Sequence, residues 1–337
     1  MKVICQAAMA AKQPLERFQY EARPVGESEV LVSITHCGIC YSDVHMIDND
    51  AGISTYPFVP GHEIVGEVAE VGKRVTWLTV GRRVGIGMQA RSCGQCEWCL
   101  RGEESRCQES WKSFTWSPYG GFAVSIIVDG KFAIPIPDAL PSETAACLMC
   151  GGISVYTPIR EHVRPGRRVA VAGIGGLGHL ALQFARGCGA EVTALSSSAS
   201  KEKDALALGA QSFVDLSRKD ALAGLARAFD LILCTFTSGA VNFDALMATQ
   251  RPGGRLHVLG FPKPIGPICA HPLAMAWGHQ TLSSSAVGGS GAIREMLDFA
   301  ARNKITARTE VFQLAKVNDA VARLRANKAR YRLVLAN

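Results

Sequence analysis

An apolar run near the middle of the chain leads without a break into a glycine-rich turn and then into a second apolar stretch. Residues 168–172 read Arg-Val-Ala-Val-Ala, residues 173–178 follow the pattern Gly-x-Gly-Gly-x-Gly, and residues 178–186 form an apolar, helix-like segment. A strand, a tight turn and a helix in this order let a pyrophosphate approach the backbone at the start of the helix. The alternative is a glycine turn in some other parallel sheet. The residues predicted to form a dinucleotide site are Gly173, Gly175, Gly176, Leu177 and Gly178.

The rest of the sequence shows two different patterns of apolar residues. The full length of 337 residues is consistent with two domains. Residues 30–137 contain short apolar runs interrupted by glycine or proline about every ten residues, which is typical of an all-β domain. Beyond Pro165, apolar runs alternate with Ala/Leu-rich segments, and this alternation favours a doubly wound parallel sheet. The later segments predicted to be helical include 201–208, 221–228, 294–302 and 317–327. Residues 331–335 are predicted to form a last strand that returns to the first domain.

Charge and hydropathy exclude two classes of partner. The 36 basic and 29 acidic residues are mixed along the chain, and a net charge of +7 of this kind suits an anionic small molecule better than a nucleic acid. No apolar run is long enough to cross a bilayer, so we expect no membrane partner. Twelve cysteines in a chain of this length indicate metal ligands rather than disulfides, which predicts a reducing, cytoplasmic location.

Four cysteines lie within fifteen residues in the spacing C-x2-C-x2-C-x7-C. They are Cys93, Cys96, Cys99 and Cys107. Four thiolates satisfy the tetrahedral coordination of zinc and leave no position open for chemistry, so the spacing predicts a structural zinc site. An iron–sulfur cluster and a group of unpaired thiols are the alternatives.

Three other loops carry possible metal ligands: Cys40, the pair His62 and Glu63, and Cys150. A single cysteine beside a glycine is more often a small buried side chain than a ligand. Together, however, two sulfurs and one imidazole make the ligand set of a catalytic zinc, whose fourth position stays open for water or a substrate oxygen. We expect the other six cysteines to be buried thiols: Cys5, Cys37, Cys147, Cys188, Cys234 and Cys269.

Motifs from one end of the chain to the other resemble those of the zinc-dependent medium-chain alcohol dehydrogenases, in the branch with the cinnamyl-alcohol-dehydrogenase-like aldehyde reductases. The matching segments are 38–43 (Gly-Ile-Cys-Tyr-Ser-Asp), 61–63 (Gly-His-Glu), the four-cysteine cluster, 150–152 (Cys-Gly-Gly), 173–179 and 331–335. The resemblance implies a GroES-like, partly open β-barrel catalytic domain and a Rossmann domain, an α/β fold. It places the boundaries at 1–152 with 289–337 for the catalytic domain and 153–288 for the NADP-binding domain.

The resemblance also assigns roles to individual residues. Cys40, His62 and Cys150 would bind the catalytic zinc, with Glu63 beside it as a further or alternate ligand. Asp43 would orient His62. Two other residues, Ser42 and His45, would carry a proton between the substrate oxygen and solvent through the cofactor ribose. Tyr41 stands where many relatives have His or Arg, so a cationic contact to the pyrophosphate is expected to be missing there.

The end of the second strand of the dinucleotide unit indicates which nicotinamide cofactor is used. An acid at this point favours NAD, because it accepts the ribose hydroxyls and repels a 2′-phosphate. Residues 196–201 read Ser-Ser-Ser-Ala-Ser-Lys instead, which offers hydroxyls and a cation. The resemblance therefore implies NADP(H), with Ser196, Ser197 and Lys201 at the phosphate; a polar loop with a solvated lysine is the alternative. Further cofactor contacts are implied for Thr235, Gly260, Ser285, Val287 and Arg332.

These observations predict a zinc enzyme, with two zinc ions per chain, that transfers hydride between NADP(H) and a primary alcohol or aldehyde. Aldehyde reduction is the expected direction, with aromatic or medium-chain aldehydes as substrates, and the resemblance implies a homodimer. Trp111, Phe114, Trp116 and Tyr119 would suit an aryl aldehyde or, equally, form core. The alternatives are an NAD-dependent polyol or secondary alcohol dehydrogenase and a non-catalytic zinc or NADP-binding protein.

Overall fold

The chain divides into two compact units. The computed structural model describes residues 1–111, 119–236, 242–260 and 268–337, with the Trp111 side chain excepted. Unit 1 consists of Met1–Ile153 together with Val287–Asn337, and unit 2 consists of Ser154–Ala286. Within the described residues, no helix combines the length and the apolar character needed to cross a bilayer.

The amino-terminal part of unit 1 is dominated by β-strands. Its elements are β1 (Lys2–Ala8), β2 (Leu15–Glu21), β3 (Glu29–Ile39), α1 (Tyr41–Asp48), β4 (Glu63–Val71), β5 (Arg83–Ile86), α2 (Glu97–Leu100), α3 (Gln108–Trp111), β6 (Ser125–Asp129), β7 (Ile134–Pro135) and α4 (Ser142–Cys147). A short π-helical segment, Leu148–Gly152, follows α4. Alternate residues of β3 face the core, where Val30 and Val32 are fully buried, as expected for a strand with one face covered.

Unit 2 alternates strands with helices, beginning with a helix that starts at the unit boundary. Its elements are α5 (Ile153–His162), β8 (Arg168–Ala172), α6 (Gly178–Gly187), β9 (Glu191–Ser196), α7 (Glu202–Ala207), β10 (Ser212–Asp215), β11 (Phe229–Cys234), α8 (Phe243–Ala248), β12 (Gln250–Val258), α9 (Pro272–Gly278) and β13 (Thr281–Ser284). The strands form one parallel sheet in the order β10-β9-β8-β11-β12-β13. This is the order of the dinucleotide-binding Rossmann sheet, so the predicted doubly wound fold is confirmed.

The chain then completes unit 1. Its last elements are α10 (Ser290–Arg302), β14 (Thr309–Gln313), α11 (Val317–Arg325) and β15 (Arg332–Ala336). β15 pairs with β14 on one side and with β3 on the other, in a seven-stranded sheet whose main path is β14-β15-β3-β4-β5-β7, with β6 also paired to β3. β1 and β2 form a separate antiparallel hairpin. The strand predicted at the end of the chain therefore lies inside the first sheet.

Two expectations about local structure were wrong. Residues 221–228 were predicted to be helical, but they contain only a single 3₁₀ turn at Ala223–Leu225. The six cysteines outside the metal motifs were expected to be buried, yet Cys188 is half-buried and Cys269 is exposed. Cys269 precedes α9 in a described segment whose side chains are mostly exposed, so no core is available to cover it.

Candidate functional site

The four cysteines at 93–107 converge on one point. Their Sγ atoms all lie within 4.8 Å of one another, with Cys93 and Cys99 at 3.8 Å and Cys96 and Cys99 at 3.6 Å. The Cys96 backbone N–H also donates to the sulfur of Cys93 at 3.3 Å. Burial opposes ionisation of Cys107, but backbone N–H donors at Cys93 and Ser110 lower its pKa to about 6. Four converging sulfurs, one of them readily ionised, are a donor set that fits zinc.

A buried carboxylate next to this cluster ties it to the last part of unit 1. Glu104 accepts hydrogen bonds from the Ser290 backbone N–H at 2.9 Å and from the Ser290 hydroxyl at 3.0 Å, and it lies 2.7 Å from the Lys131 ammonium. Ser290 is the first residue of α10, where the unpaired N–H groups of a helix attract a carboxylate. The sequence analysis did not identify Glu104, since its partners lie far away along the chain.

A second cluster brings together four residues from three separate segments of unit 1. One donor atom each from Cys40, His62, Glu63 and Cys150 lies within 4.8 Å of the others, and His62 Nε2 is 3.3 Å from the Cys150 sulfur. Cys40 precedes α1, His62 precedes β4, and Cys150 lies in the π-helical segment, a distortion that often marks a functional site. All the predicted ligands of the catalytic zinc are thus placed side by side.

Asp43 organises this second cluster. Its Oδ2 accepts from the Cys40 backbone N–H at 2.9 Å, and its Oδ1 accepts from the Gly61 N–H at 2.9 Å and lies 3.0 Å from His62 Nδ1. The carboxylate is fully buried. With the proton of His62 held on Nδ1, Nε2 presents its lone pair to the two sulfurs.

The side chain of Glu63 has a buried oxygen at which a cation would fit. One of its oxygens accepts from Arg332, whereas buried Oε2 has no hydrogen-bond partner among the described residues. A Cβ added at Gly38 would lie 2.0 Å from Oε2, so the glycine leaves room for this carboxylate. Burial raises the pKa of Glu63 to about 7, against the opposing charge of Arg332. A buried carboxylate oxygen with no donor, beside two thiols and an imidazole, is a suitable place for zinc.

The residues predicted to move a proton lie on α1. The Ser42 hydroxyl is 3.3 Å from the Cys40 sulfur. His45 Nδ1 lies 2.6 Å from Asp50 Oδ2, and the His45 ring meets the Tyr41 ring edge-on with centroids 5.1 Å apart. The sequence did not single out Asp50, because an acid that follows the asparagine capping a helix looks like an ordinary turn residue. Its spacing, five residues beyond the histidine, was the available signal.

The glycine turn of unit 2 has the geometry that a pyrophosphate needs. Gly173 has a φ of +95°, and a Cβ at Gly178 would lie 1.9 Å from the Gly173 carbonyl oxygen. A Cβ at Gly175 would meet no atom within 4 Å, so the protein itself does not require glycine there. Backbone open to a ligand at this position is the feature that lets a pyrophosphate approach. Gly176 and Leu177 continue this half-buried stretch up to the start of α6.

The other predicted cofactor residues lie at the carboxyl ends of strands in unit 2. Thr235 donates to the Gly173 carbonyl at 2.6 Å, and the Lys201 ammonium donates to the Ile174 carbonyl at 2.8 Å. Ser196 is buried at the end of β9, whereas Ser197 is exposed.

Ser285 and Gly260 follow β13 and β12. The Ser285 hydroxyl lies 2.9 Å from His257 Nε2, and a Cβ at Gly260 would lie 2.0 Å from the Phe236 carbonyl oxygen.

The remaining predicted site residues are distributed over unit 1. Val287, the first residue of the second stretch of chain in unit 1, is half-buried. Arg332 is 6% exposed and forms an ion pair with Glu63 at the metal cluster. Of the aromatic candidates, Tyr119 stacks on Tyr20 with centroids 4.1 Å apart. The Trp111 side chain, Phe114 and Trp116 lie outside the described residues.

Comparison with known proteins agrees with this arrangement. Residues 26–138 match the alcohol dehydrogenase GroES-like domain, and residues 176–302 match the zinc-binding dehydrogenase family. The chain is 38% identical over 332 residues to the aldehyde reductase AdhA of Synechocystis sp., covering 98% of each protein. It is 38% identical over 342 residues to NADP-dependent alcohol dehydrogenase C 1 of Mycolicibacterium smegmatis, covering 99% of this chain and 97% of that one.

A solved structure matches along the whole length as well. The cinnamyl alcohol dehydrogenase SbCAD4 from Sorghum bicolor has a TM-score of 0.92 at 35% identity, covering 100% of this chain and 98% of that one. The GroES-like and Rossmann folds and the family resemblance expected from the motifs are confirmed. Identity at this level over nearly the whole chain shows that the protein belongs to the zinc-dependent medium-chain alcohol dehydrogenases.

Proposed function

We propose that the protein transfers hydride reversibly between NADP(H) and a primary alcohol or its aldehyde, and that it works mainly as a reductase of aromatic or medium-chain aldehydes. The observation that carries the proposal is the buried cluster of Cys40, His62, Glu63 and Cys150. The relatives named aldehyde reductase and NADP-dependent alcohol dehydrogenase support the same reaction.

The cluster is suited to hold zinc through Cys40, His62 and Cys150, with Glu63 as an alternate ligand. Zinc bound there supplies a Lewis acid that polarises the substrate oxygen. Asp43 keeps His62 in the tautomer that presents Nε2. Arg332 neutralises one oxygen of Glu63, which limits the negative charge that two thiolates and a carboxylate would otherwise accumulate.

Ser42 and His45 provide the proton path. The Ser42 hydroxyl, beside the Cys40 sulfur, is placed to donate its proton to a substrate oxygen and to receive another in turn. Asp50 holds the proton of His45 on Nδ1, so that Nε2 is the nitrogen that exchanges a proton. We assign Asp50 as a positioning residue that acts through His45.

The nucleotide turn supports binding of a dinucleotide, and the loop after β9 supports NADP(H). The bound cofactor supplies the hydride chemistry. Ser197 and Lys201 offer a hydroxyl and a cation for a 2′-phosphate. The nearest acid along the adjacent strand, Asp215, accepts hydrogen bonds from the Ser217 N–H at 3.0 Å and from its hydroxyl at 2.6 Å. The Asp215 carboxylate therefore already accepts hydrogen bonds from within its own turn.

In this proposal the cluster of Cys93, Cys96, Cys99 and Cys107 would hold a second zinc ion with a structural role. Four thiolate ligands would leave no position for a substrate. Through Glu104 the cluster is connected to the start of α10. We therefore assign two zinc ions to each chain.

We also propose that the enzyme is a cytoplasmic homodimer. β13 is the last strand of the six-stranded sheet among the described residues, so one edge of its backbone offers free hydrogen-bonding groups. The neighbouring helix α9 exposes 59% of Leu273 and 81% of Trp277. Sedimentation of the wild type and of Trp277→Glu tests the dimer, and a wild-type monomer would contradict it. The cytoplasmic assignment rests on the thiol ligands, which need a reducing compartment.

The deciding experiment is a steady-state screen of aromatic, medium aliphatic and small aldehydes with NADPH and with NADH, together with metal analysis. We expect two zinc ions per chain, a higher kcat/KM with NADPH, and aldehydes as better substrates than polyols. A preference for NADH with a polyol would support the alternative dehydrogenase instead. Turnover that survives in Cys40→Ala would contradict the proposed site.

A further inference from the structure

A buried histidine of unit 2 lies near the carboxyl edge of the parallel sheet. His257 is on β12, between the buried apolar residues Leu256 and Val258, and only 4% of it is exposed. Its partner in the register of the neighbouring strand β13 is Ser283. A polar ring among apolar side chains costs free energy unless its nitrogens have hydrogen-bond partners.

Both nitrogens of the ring meet serine hydroxyls from the next stretch of chain. His257 Nδ1 lies 2.9 Å from the Ser283 hydroxyl, and Nε2 lies 2.9 Å from the Ser285 hydroxyl. The hydroxyl of Ser284, which stands between these two serines, donates instead to the Val258 carbonyl at 2.8 Å. Because side chains alternate along a strand, the first and third serine can face one ring while the second cannot.

The contact with Ser285 reaches beyond the regular part of the sheet. Strand β13 ends at Ser284, and the last pair in its ladder with β12 joins Val258 to Ser284. The contact with Ser283 already connects the two strands through the ring. The second contact therefore fixes the first residue after the strand, which the ladder does not hold.

The ring is uncharged at neutral pH. Burial, followed by the charges of His162 and Arg255, lowers the pKa of His257 to about 4. A neutral imidazole has one donor and one acceptor, so one serine donates to it and the other accepts. The Ser285 hydroxyl keeps a hydrogen to donate when Nε2 carries the proton, and it keeps its lone pairs when Nδ1 carries the proton.

The order of the sheet assigns Ser285 to one half of the dinucleotide site. A Rossmann sheet consists of two mononucleotide-binding halves, and the strand before the glycine turn lies where they meet. Here that strand is β8, with β9 and β10 on one side and β11, β12 and β13 on the other. Lys201, which we place at the 2′-phosphate, follows β9. The nicotinamide half therefore belongs to the carboxyl ends of β11–β13, where Ser285 lies.

We propose that His257 is a positioning residue that holds the Ser285 hydroxyl toward the carboxamide of the bound nicotinamide. A carboxamide offers a donor and an acceptor, so it suits this hydroxyl in either tautomer of the ring. The inference rests on the proposed binding of a nicotinamide dinucleotide. It adds a buried residue that acts on the cofactor through a serine.

Two uncharged substitutions of His257 separate the two contacts. The polar atoms of an asparagine side chain are two bonds from Cβ, as Nδ1 is, whereas those of glutamine are three bonds away, as Nε2 is. His257→Asn should therefore keep the contact with Ser283 and lose the one with Ser285. His257→Gln should keep the contact with Ser285. Both remove the ionisable ring, so a difference between them does not come from charge.

Isothermal titration calorimetry on the zinc-loaded protein measures the effect with two probes. The probes are NADPH and 2′-phospho-ADP-ribose, which lacks the nicotinamide. We expect His257→Asn and Ser285→Ala to bind NADPH about three- to tenfold more weakly than the wild type, the effect of one hydrogen bond. Both variants should bind 2′-phospho-ADP-ribose as the wild type does, and His257→Gln should keep most of the affinity for NADPH.

A control and a double variant complete the test. Ser284→Ala removes the neighbouring hydroxyl, which bonds to the backbone of β12 and not to the ring, and it should leave the affinity for NADPH unchanged. His257→Asn combined with Ser285→Ala should lose no more affinity than Ser285→Ala alone, because the ring acts through that hydroxyl.

The inference is overturned if His257→Asn binds NADPH as tightly as the wild type, or if the losses add in the double variant. Equal weakening of both probes in His257→Asn and His257→Gln would show a purely structural histidine. A wild type that prefers NADH would contradict only the proposed cofactor, and the same selective loss measured with NADH and ADP-ribose would support the role of His257. A wild type that binds neither dinucleotide would overturn both proposals.

Discussion

Asp50 Oδ2 lies 2.6 Å from Nδ1 of His45, a pairing made across the end of helix α1. Because one ring nitrogen is held by the carboxylate, the other is the nitrogen available to exchange a proton. In the proposed proton path, this pair orients the His45 ring as an acid–base group.

Replacing Asp50 by Asn tests this orientation. We expect kcat for aldehyde reduction to fall about tenfold while KM for NADPH changes little, since general acid–base groups contribute roughly 10²–10⁴ in rate and only the positioning is lost. Steady-state kinetics measure both values, and Asp50→Glu should recover part of the rate. Equal losses in Asn and Glu variants with a raised KM would indicate a structural role.

Asp43→Asn should weaken zinc binding at the second cluster. The carboxylate holds His62 and two backbone N–H groups, and loss of such a partner typically lowers metal affinity about 10- to 100-fold. Titration with a chelator, followed by metal analysis, measures the change. Asp48→Asn, which alters the ion pair with Arg325 instead, is the control. Unchanged zinc retention in Asp43→Asn would speak against the orienting role.

Lys201→Glu should reverse the preference between nicotinamide cofactors. A carboxylate at this position would repel a 2′-phosphate, so we expect the ratio of kcat/KM for NADPH to that for NADH to fall by about 100-fold. Lys203→Glu, at an exposed lysine two residues further along, makes the same charge change and should have little effect. A ratio that responds equally to both substitutions would mean that only the overall charge matters.

Glu104→Gln should destabilise the junction between the cysteine cluster and α10. The buried carboxylate accepts two hydrogen bonds from Ser290 and pairs with Lys131, so its neutralisation should cost about 1–3 kcal/mol. Thermal unfolding of the zinc-loaded protein measures the loss. Glu103→Gln, next to it but half-exposed, provides the comparison. Equal melting temperatures for both variants would show that the contact contributes little.

The stability of unit 2 should depend on pH through His257. Burial, with the charges of His162 and Arg255, lowers the pKa of His257 to about 4, below its unfolded value of about 6.5. The unfolded chain therefore binds more protons between these values, and stability present above pH 6.5 is lost as the pH falls toward 4. The loss should be on the order of 3 kcal/mol.

Melting temperatures between pH 4 and 7 measure this dependence. His257→Asn should show a smaller acid-induced fall than the wild type. His279→Asn serves as control, because His279 is exposed and its positive φ of 48° suits asparagine. Identical slopes for wild type and His257→Asn would assign the acid sensitivity to other groups.

The features that sequence reasoning identified are those encoded by short spacings. The turn at 173–178 and the cysteines at 93–107 carry their geometry within a few residues, so the pattern alone indicates how they fold. Cys40, His62 and Cys150 are far apart along the chain, so the chemistry of two sulfurs and one imidazole suggested them as a ligand set and the resemblance then assigned them to the catalytic zinc. Glu104 with Ser290 and Glu63 with Arg332 were not paired in advance, because their separations of 186 and 269 residues leave no local signal.

Local composition misled in two places. The Ala/Leu-rich segment 221–228 has the composition of a helix, but Asp220 and Arg227 adopt positive φ angles at its two ends, so only one 3₁₀ turn forms. Cys269 was assigned to a core by residue type alone, whereas its exposure depends on what surrounds it. Both errors came from reading a residue without its neighbours in space.

The position of β15 has a consequence for how the protein is made. This strand follows unit 2 along the chain, yet in the seven-stranded sheet it lies between β14, which forms the edge, and β3. Unit 2 is continuous and can fold while it emerges from the ribosome, as domains generally do. Unit 1, in contrast, is interrupted by the whole of unit 2, and until β15 has been made and has paired, β3 has an open edge next to Cys40. A chain shortened by a few residues at its carboxyl terminus would therefore lose both β15 and Arg332, and with them the completed surroundings of the metal cluster.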